Sequence, residues 1–394
     1  MINETDRGLM PAPLLNFDAT SPANDLRGQM HSAVSEVLFI ETEEWTPGSA
    51  VSASYTGMLI VESEAAYNQL DEKFKALNHV PILAEQNGKY VVRAIRGRFN
   101  LRPREWWPNA LLFGLTVLSL LYVGASQEII IDNPLQIFRG LPYAIGVLLI
   151  LGSHELGHYF AARIHKVAVS LPYFIPVPVP GSFGTLGAFI QLREPMRNRK
   201  VLLDIGAAGP LVGLIFAIPI LIIGLKTSPV LPSPVMQLFM LKSGSVDYIL
   251  EGNSILYAAL KTLVFGRFLP DGMSDVFINQ LTMAGWTGLL VTGLNLIPVG
   301  QLDGGHAIYS LIGERARRLY LPVLVGLGVA SLFYPGWALW LFILLFLGRV
   351  YATPLDSVTT LNRPRRIIAI IALIAFFLIF MPIPLQEIYV RGWW

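Results

Sequence analysis

The chain has 394 residues, of which 53% are hydrophobic and only 14% charged, with a formal net charge of +2 and a mean hydropathy of +0.54. Soluble domains carry about 25% charged residues, so this chain lacks the polar surface to cover itself in water. Near-neutral charge gives no reason to expect a nucleic-acid partner, and the absence of cysteine excludes disulfides, thiol nucleophiles and thiolate metal sites.

In chain order, residues 1–48 read as a poorly ordered N-terminal segment. Met1–Asn24 is rich in Pro, Asn, Ser and Asp, and although Leu26–Phe39 has the pattern of a short helix, Glu41, Glu43 and Glu44 end its apolar run. The first fifteen residues, MINETDRGLMPAPLL, are too acidic and too weakly apolar for a signal or transit peptide, so the first span is expected to act as its own insertion signal. Residues 49–100 predict a small β-α-β-β module. Val51–Glu62 favours a strand, Glu64–Leu77 puts Ala66, Leu70, Phe74 and Leu77 on one helical face, and Val80–Ala84 and Tyr90–Ile95 flank an Asn87-Gly88 hairpin turn.

Residues 101–394 form the membrane part. Apolar runs predict about seven spans, near Trp107–Ala125, Leu141–Ile164, Leu202–Leu225, Leu281–Ile297, Leu319–Phe333, Gly336–Tyr351 and Arg366–Ile383. Trp106, Trp107, Trp337, Trp340, Trp393 and Trp394 sit near span ends, where an aromatic belt is expected. Basic residues cluster at Arg93–Arg104, Arg193–Lys200, Arg315–Arg318 and Arg349–Arg366, an excess of about three to one that puts the N-terminus and these loops in the cytoplasm. The expected fold is thus an all-α polytopic membrane protein with a small cytoplasmic N-terminal α+β module.

Ionisable residues inside a span are costly and mark function by default. The second span carries His154, Glu155 and His158 in GSHELGHYF. Positions i and i+4 share a helical face, so both imidazoles reach one metal ion, with the glutamate beside the open coordination position. Neutral imidazole suits zinc, and Glu155 would take the proton of a metal-activated water. A catalytic zinc usually has three protein ligands. Asp303 is the remaining intramembrane carboxylate, and it follows a stretch that Pro298 and Gly300 keep from being helical, which makes it a third-ligand candidate.

HELGH in one span and Asn295-x-x-Pro298-x-x-x-x-Asp303-Gly304 in a later one resemble the site-2 protease family of intramembrane zinc metalloproteases, over residues 106–394. The resemblance implies one Zn2+ held by His154, His158 and Asp303, Glu155 as general base, and Asn295 orienting substrate or the developing oxyanion. His306 lies just past the motif and inherits no role. Gly184–Gln191, Asn198–Lys200 and Asp204–Pro210 are similar to the chloroplast and cyanobacterial branch known as ethylene-dependent gravitropism-deficient proteins. Prolines at 176, 178 and 180 forbid a regular helix before Thr185–Leu192, which favours a strand. In the family such an element is a re-entrant β-hairpin that pairs with an unwound substrate, which makes Gly184, Thr185, Leu186, Gly187, Ala188 and Phe189 candidate substrate-binding residues. Asp204 and the small residues Gly206–Gly209 read structurally, as a helix-start anion and a close-packing face.

The expected function is therefore an intramembrane zinc endopeptidase, with a transmembrane protein as substrate, the lipid bilayer as its medium and room for a homo-oligomer. Its expected location is a bacterial inner membrane with the active site toward the cytoplasm. A transporter with Asp and His lining a pathway, and a non-proteolytic scaffold with a structural metal, are the readings from other classes.

Overall fold

Residues 23–99, 105–127, 131–232 and 245–391 are described by the computed structural model. Met1–Pro22, Arg102, Arg104, Met236, Met240, Lys242, Trp393 and Trp394 lie outside them. The N-terminal part is a four-stranded antiparallel sheet, order β1-β2-β4-β3, formed by β1 (Leu38–Trp45), β2 (Val51–Leu59), β3 (His79–Gln86) and β4 (Lys89–Arg96). Helices α1 (Ala23–Ser35) and α2 (Ser63–Ala76) cover one face, where Met30, Val34, Leu70 and Phe74 are buried against Tyr55, Leu83 and Val92.

The module thus begins well before the expected boundary at residue 49, because residues 23–45 supply a helix and a strand. The acidic run that argued against structure there lies on an edge strand, where ion pairs take up its charge. Glu43 pairs with Arg27 and His31, and Glu41 with Lys89; a bulge between Ile40 and Thr42 puts Glu43, opposite Tyr55, on the same face as the buried Leu38. Charged side chains on an edge strand also deter pairing with another chain.

Among the described residues, four helical stretches are long and apolar enough to cross a membrane: Trp107–Ser126, Pro134–Ile164, Arg199–Thr227 and Asp303–Phe333. They comprise α3 (Trp107–Ser126), a 3-10 turn leading into α4 (Leu141–Ile164), α5 (Arg199–Thr227), and a continuous run described below. Between α4 and α5 lies a two-stranded hairpin, β5 (Tyr173–Pro176) with β6 (Thr185–Phe189), in the register Tyr173↔Phe189 and Phe174↔Ala188. After α5 come β7 (Val230–Pro232), β8 (Ser245–Glu251), α6 (Ile255–Phe265) and β9 (Ser274–Val276). Helix α6 is apolar, capped by Ser254 and closed by Gly266 in the left-handed conformation.

The rest of the bundle is α7 (Gln280–Asn295), α8 (Asp303–Ile312), a 3-10 turn, α9 (Tyr320–Phe333), α10 (Gly336–Leu347), α11 (Arg363–Ile379) and β10 (Leu385–Arg391), which pairs with β8. The run from α8 to α9 is the fourth long apolar stretch. At 16, 12 and 17 residues, α7, α10 and α11 fall short of the length of a full span. The bundle centre is α4, α5 and α7, with Trp286, Leu221, Leu289 and Ile150 in its core. Much of the outer helical surface is apolar and exposed, including Phe113, Ile215, Leu332 and Phe377, as suits a chain whose solvent there is lipid.

Candidate metal centre

The donor residues come from two helices held by a third. His154 and His158 are on α4, one turn apart, and both are buried. Asp303 is the first residue of α8. The connection from α7 to α8 folds back so tightly that a Cβ on Gly304 would lie 1.9 Å from the Leu296 carbonyl oxygen, and one on Gly305 2.3 Å from that of Gly300. Gly300 itself has φ of +61°, a conformation that costs glycine little and other residues more. These glycines let the carboxylate turn in toward α4.

Helix α5 seals the back of the site. A Cβ on Gly209 would fall 2.1 Å from His158 Nε2, and one on Gly206 2.6 Å from His306 Cβ. The expected close-packing face therefore receives imidazoles rather than only backbone. Within α5, the Ile205 carbonyl accepts from His158 Nδ1 at 2.7 Å. That bond puts the proton on Nδ1 and leaves the Nε2 lone pair directed into the site.

The three ligand atoms converge. His154 Nε2 and His158 Nε2 are 3.1 Å apart, and Asp303 Oδ2 is 3.3 Å and 3.4 Å from them. Tetrahedral ligands at ordinary zinc bond lengths stand about 3.3 Å from one another. A carboxylate oxygen and two imidazole nitrogens at that spacing form a donor set that fits a zinc ion, and these three residues could hold it. Glu155 Oε1 is 4.0 Å from His154 Nε2, and its buried Oε2 has no hydrogen-bond partner. The carboxylate stands beside the donors without being one of them. Asn295, the last residue of α7, brings Nδ2 to 3.5 Å from His154 Nε2.

A cavity of about 210 Å³ opens on this cluster. Its walls include Ala188 and Phe189 from β6, Ile190 and Leu192 just beyond it, Ile205 and Gly206 from α5, and Asn295, Gln301, Leu302 and His306. Of the six expected substrate-binding residues, then, Ala188 and Phe189 reach the cavity. The others do not. Gly184 packs on α3, where its carbonyl accepts from Ser119 Oγ; Thr185 bonds within the hairpin; Leu186 is exposed; Gly187 lies near Val291. Ile190, Leu192 and Leu302 were not singled out by sequence, because nothing in an apolar residue marks which cavity it borders.

Asp204 is not simply a helix-start charge. It accepts a forked pair of bonds from Arg365 at 2.7–3.0 Å and lies 2.9 Å from His165 Nε2. The three groups tie the end of α4 to α5 and to the start of α11.

Two buried histidines and an aspartate that could hold a metal ion, with a further buried carboxylate beside them, lie among apolar helices long enough to cross a membrane, the combination expected of a membrane metalloprotein. The peptidase family M50 profile matches residues 142–333, which takes in both halves of the cluster. Residues 142–333 are thus similar to that family, and the chain shows homology to the ethylene-dependent gravitropism-deficient branch. The chain is 29% identical over 377 residues to the probable zinc metalloprotease EGY2, chloroplastic, of Arabidopsis thaliana, covering 91% of this chain and 64% of the relative. It is 36% identical over 249 residues to the probable zinc metalloprotease EGY1, chloroplastic, of the same plant, covering 62% and 43%. The probable zinc metalloprotease EGY3, chloroplastic, of Oryza sativa subsp. japonica is 25% identical over 201 residues, or 49% of this chain and 33% of that one. The chain spans just under two thirds of the length of the EGY2 relatives it matches. No solved structure matches significantly.

Proposed function

We propose that the protein is an intramembrane zinc endopeptidase that cleaves peptide bonds in or near transmembrane segments of membrane proteins. The observation that carries this reading is the convergence of His154, His158 and Asp303 at zinc spacing, beside the buried Glu155 carboxylate whose Oε2 has no hydrogen-bond partner. Bound there, zinc supplies Lewis acidity that activates water and polarises a carbonyl. Glu155 accepts the proton of the attacking water and returns it to the leaving amine, the two tasks that one buried carboxylate beside the reacting atoms can perform. The Asn295 amide donates toward the oxygen of the scissile carbonyl as charge develops on it. His158 stays in one tautomer because Ile205 accepts its Nδ1 proton.

Substrate presentation fits the β5–β6 hairpin. Among the described residues β6 pairs with β5 alone, and Ala188 and Phe189 lead its chain into the cavity wall. An unwound substrate segment added to that edge gains backbone bonds while its carbonyl is brought to the metal. A helical substrate could not react in place, since its peptide groups are already hydrogen-bonded. The hairpin is then a re-entrant element within about seven spans, with residues 1–100 and the metal site on the basic side. That side is cytoplasmic in a bacterial inner membrane; in a plastid membrane, the compartment in the relatives' names, it is the stromal side.

The test compares purified wild type with Glu155→Gln on single-span peptides. Glu155→Gln is expected to keep one zinc and lose cleavage by about 100-fold or more, the usual worth of a general base. Equal cleavage by the two, or zinc-loaded wild type that cleaves none of a broad peptide panel, would overturn the assignment.

A further inference from the structure

The N-terminal module is joined to the active-site wall by backbone pairing, not by side chains alone. Between α10 and α11 the chain runs along the free edge of β3. Leu83 N–H donates to the Leu355 carbonyl at 2.8 Å, and Ser357 N–H donates to the Leu83 carbonyl at 3.0 Å. On its opposite edge the same segment pairs with the residues just before α5: Leu355 N–H donates to Met196 O at 2.9 Å and Asp356 N–H to Arg197 O at 2.8 Å. Residues 355–357 therefore form a strap that continues the module's sheet into residues 196–198.

Residues 196–198 adjoin the catalytic wall. Arg193 N–H donates to Ala168 O at the foot of the hairpin, and Leu192 borders the cavity. Only Glu194 and Pro195 separate Arg193 from Met196, so the strap and the wall have little slack between them. Module side chains add a second grip, with Glu64 accepting from Lys200 Nζ at 2.6 Å and from Asn198 Nδ2 at 3.3 Å, and Ser63 meeting Thr359 at 2.9 Å. Asp356 shapes the strap. It is fully buried, and its Oδ1 accepts from the Val358 and Thr359 N–H groups at 3.0 Å each.

We propose that the module is a positioning element for peptide cleavage, holding the wall at residues 190–193 through the strap, with Asp356 as the positioning residue. This rests on the protease reading above. The metal ligands belong to α4 and α8, and the strap bonds to neither. Releasing it thus loosens the surface on which substrate is laid while the metal stays bound. The effect falls on KM for a substrate that must be drawn from a helix and seated, and not on a short peptide that is already extended.

The experiment uses the full chain in lipid bicelles, as wild type, Asp356→Ala and Asp356→Asn. Amide exchange is followed at residues 82–85 and 190–193, with bound zinc and with kinetics on a single-span peptide and a short unfolded one. Asp356→Ala is expected to speed exchange in both segments, keep one zinc, raise KM for the single-span peptide about tenfold, and leave the short peptide within about twofold. Asp356→Asn keeps an acceptor oxygen for both N–H groups and should behave as wild type. Faster exchange at 82–85 with 190–193 unchanged, or equal losses on both peptides, overturns the proposal. Should Asp356→Ala fail to fold, Ser357→Pro, which removes one N–H reaching Leu83, takes its place. If wild type cleaves nothing, the protease reading fails, and linked exchange of the two segments still decides whether the strap couples them.

Discussion

Among the proposed ligands, the narrowest approach to a side chain is between Gly209 and His158. With 2.1 Å between the place of a Cβ and Nε2, and 2.5 Å to Cε1, a single methyl group must push the ligand aside or part α4 from α5. Gly213 is different, since a Cβ there would stand 3.3 Å from the His154 ring. Gly209→Ala is therefore expected to weaken zinc binding by about 10–100-fold, as disturbing the groups behind a ligand does, with Gly213→Ala costing far less. Competition against a chromophoric chelator measures both. Equal affinities for the two variants would mean that α5 yields and that the approach does not set the ligand. Sequence made part of this legible. Helical periodicity alone brings His154 and His158 to one face, and Pro298 and Gly300 mark the break from which Asp303 turns inward. What it could not give is the rotation of α5 about its axis, which decides whether Gly209 meets a leucine or an imidazole.

At the scale of elements, strong local patterns were readable and pairings distant in sequence were not. The Asn87-Gly88 turn, the amphipathic α2 and the extended Thr185–Phe189 all announce themselves through local patterns or turn chemistry. The strap does not. Leu83 and Asp356 are some 270 residues apart, and a three-residue ladder has no periodicity to read. Its central side chain makes the joint sensitive to pH. Burial pushes the Asp356 carboxyl above the usual aspartate range, against hydrogen bonds from Thr359 and Val358 that act the other way. Glu64 and Tyr67 face it from α2 and Arg199 from α5. A raised folded-state value means the docked form holds its proton more tightly than the released form. Docking stability from this group is then fully present below the ordinary value of about 3.9 and is lost as pH rises through the raised one. Exchange protection at 82–85, corrected for intrinsic rates, should fall over that range in wild type and stay flat in Asp356→Asn. A flat wild-type profile would show that Arg199 keeps the carboxylate charged throughout.

For the whole molecule, the hydrogen bonds between strap and module constrain how the chain crosses the bilayer. The strap must lie on the same side as β3, so the chain from the module to the strap crosses an even number of times. In the topology proposed above, α3, α4 and α5 each cross, α6 and β9 follow on the far side, and an odd number of crossings returns the chain. With 16 residues, α7 rises about 24 Å, less than the roughly 30 Å hydrocarbon core, and Asn295 at its end meets His154 in the middle of α4; in the proposed topology it is the crossing that begins the return. The pair α9 and α10 then either crosses out and back or dips from one face, since both keep the parity. Packing favours full crossing. Trp337, at the turn between the two helices, donates from Nε1 to Pro382 O at 2.7 Å and stacks on Phe380 with ring centres 5.1 Å apart. Those two residues follow the end of α11, which starts from the strap side, so the turn reaches the level of the far end of α11. Because the chain has no cysteine, single-cysteine labelling is clean. Ser49→Cys on the module, Met273→Cys in the loop after α6, and Leu332→Cys at the tip of α9 are all at exposed positions. In sealed vesicles with the module inside, an impermeant maleimide should label Met273→Cys and Leu332→Cys directly and Ser49→Cys only after permeabilisation. Labelling of Met273→Cys alone would make the α9–α10 pair a dipping hairpin and replace the proposed seven spans with five.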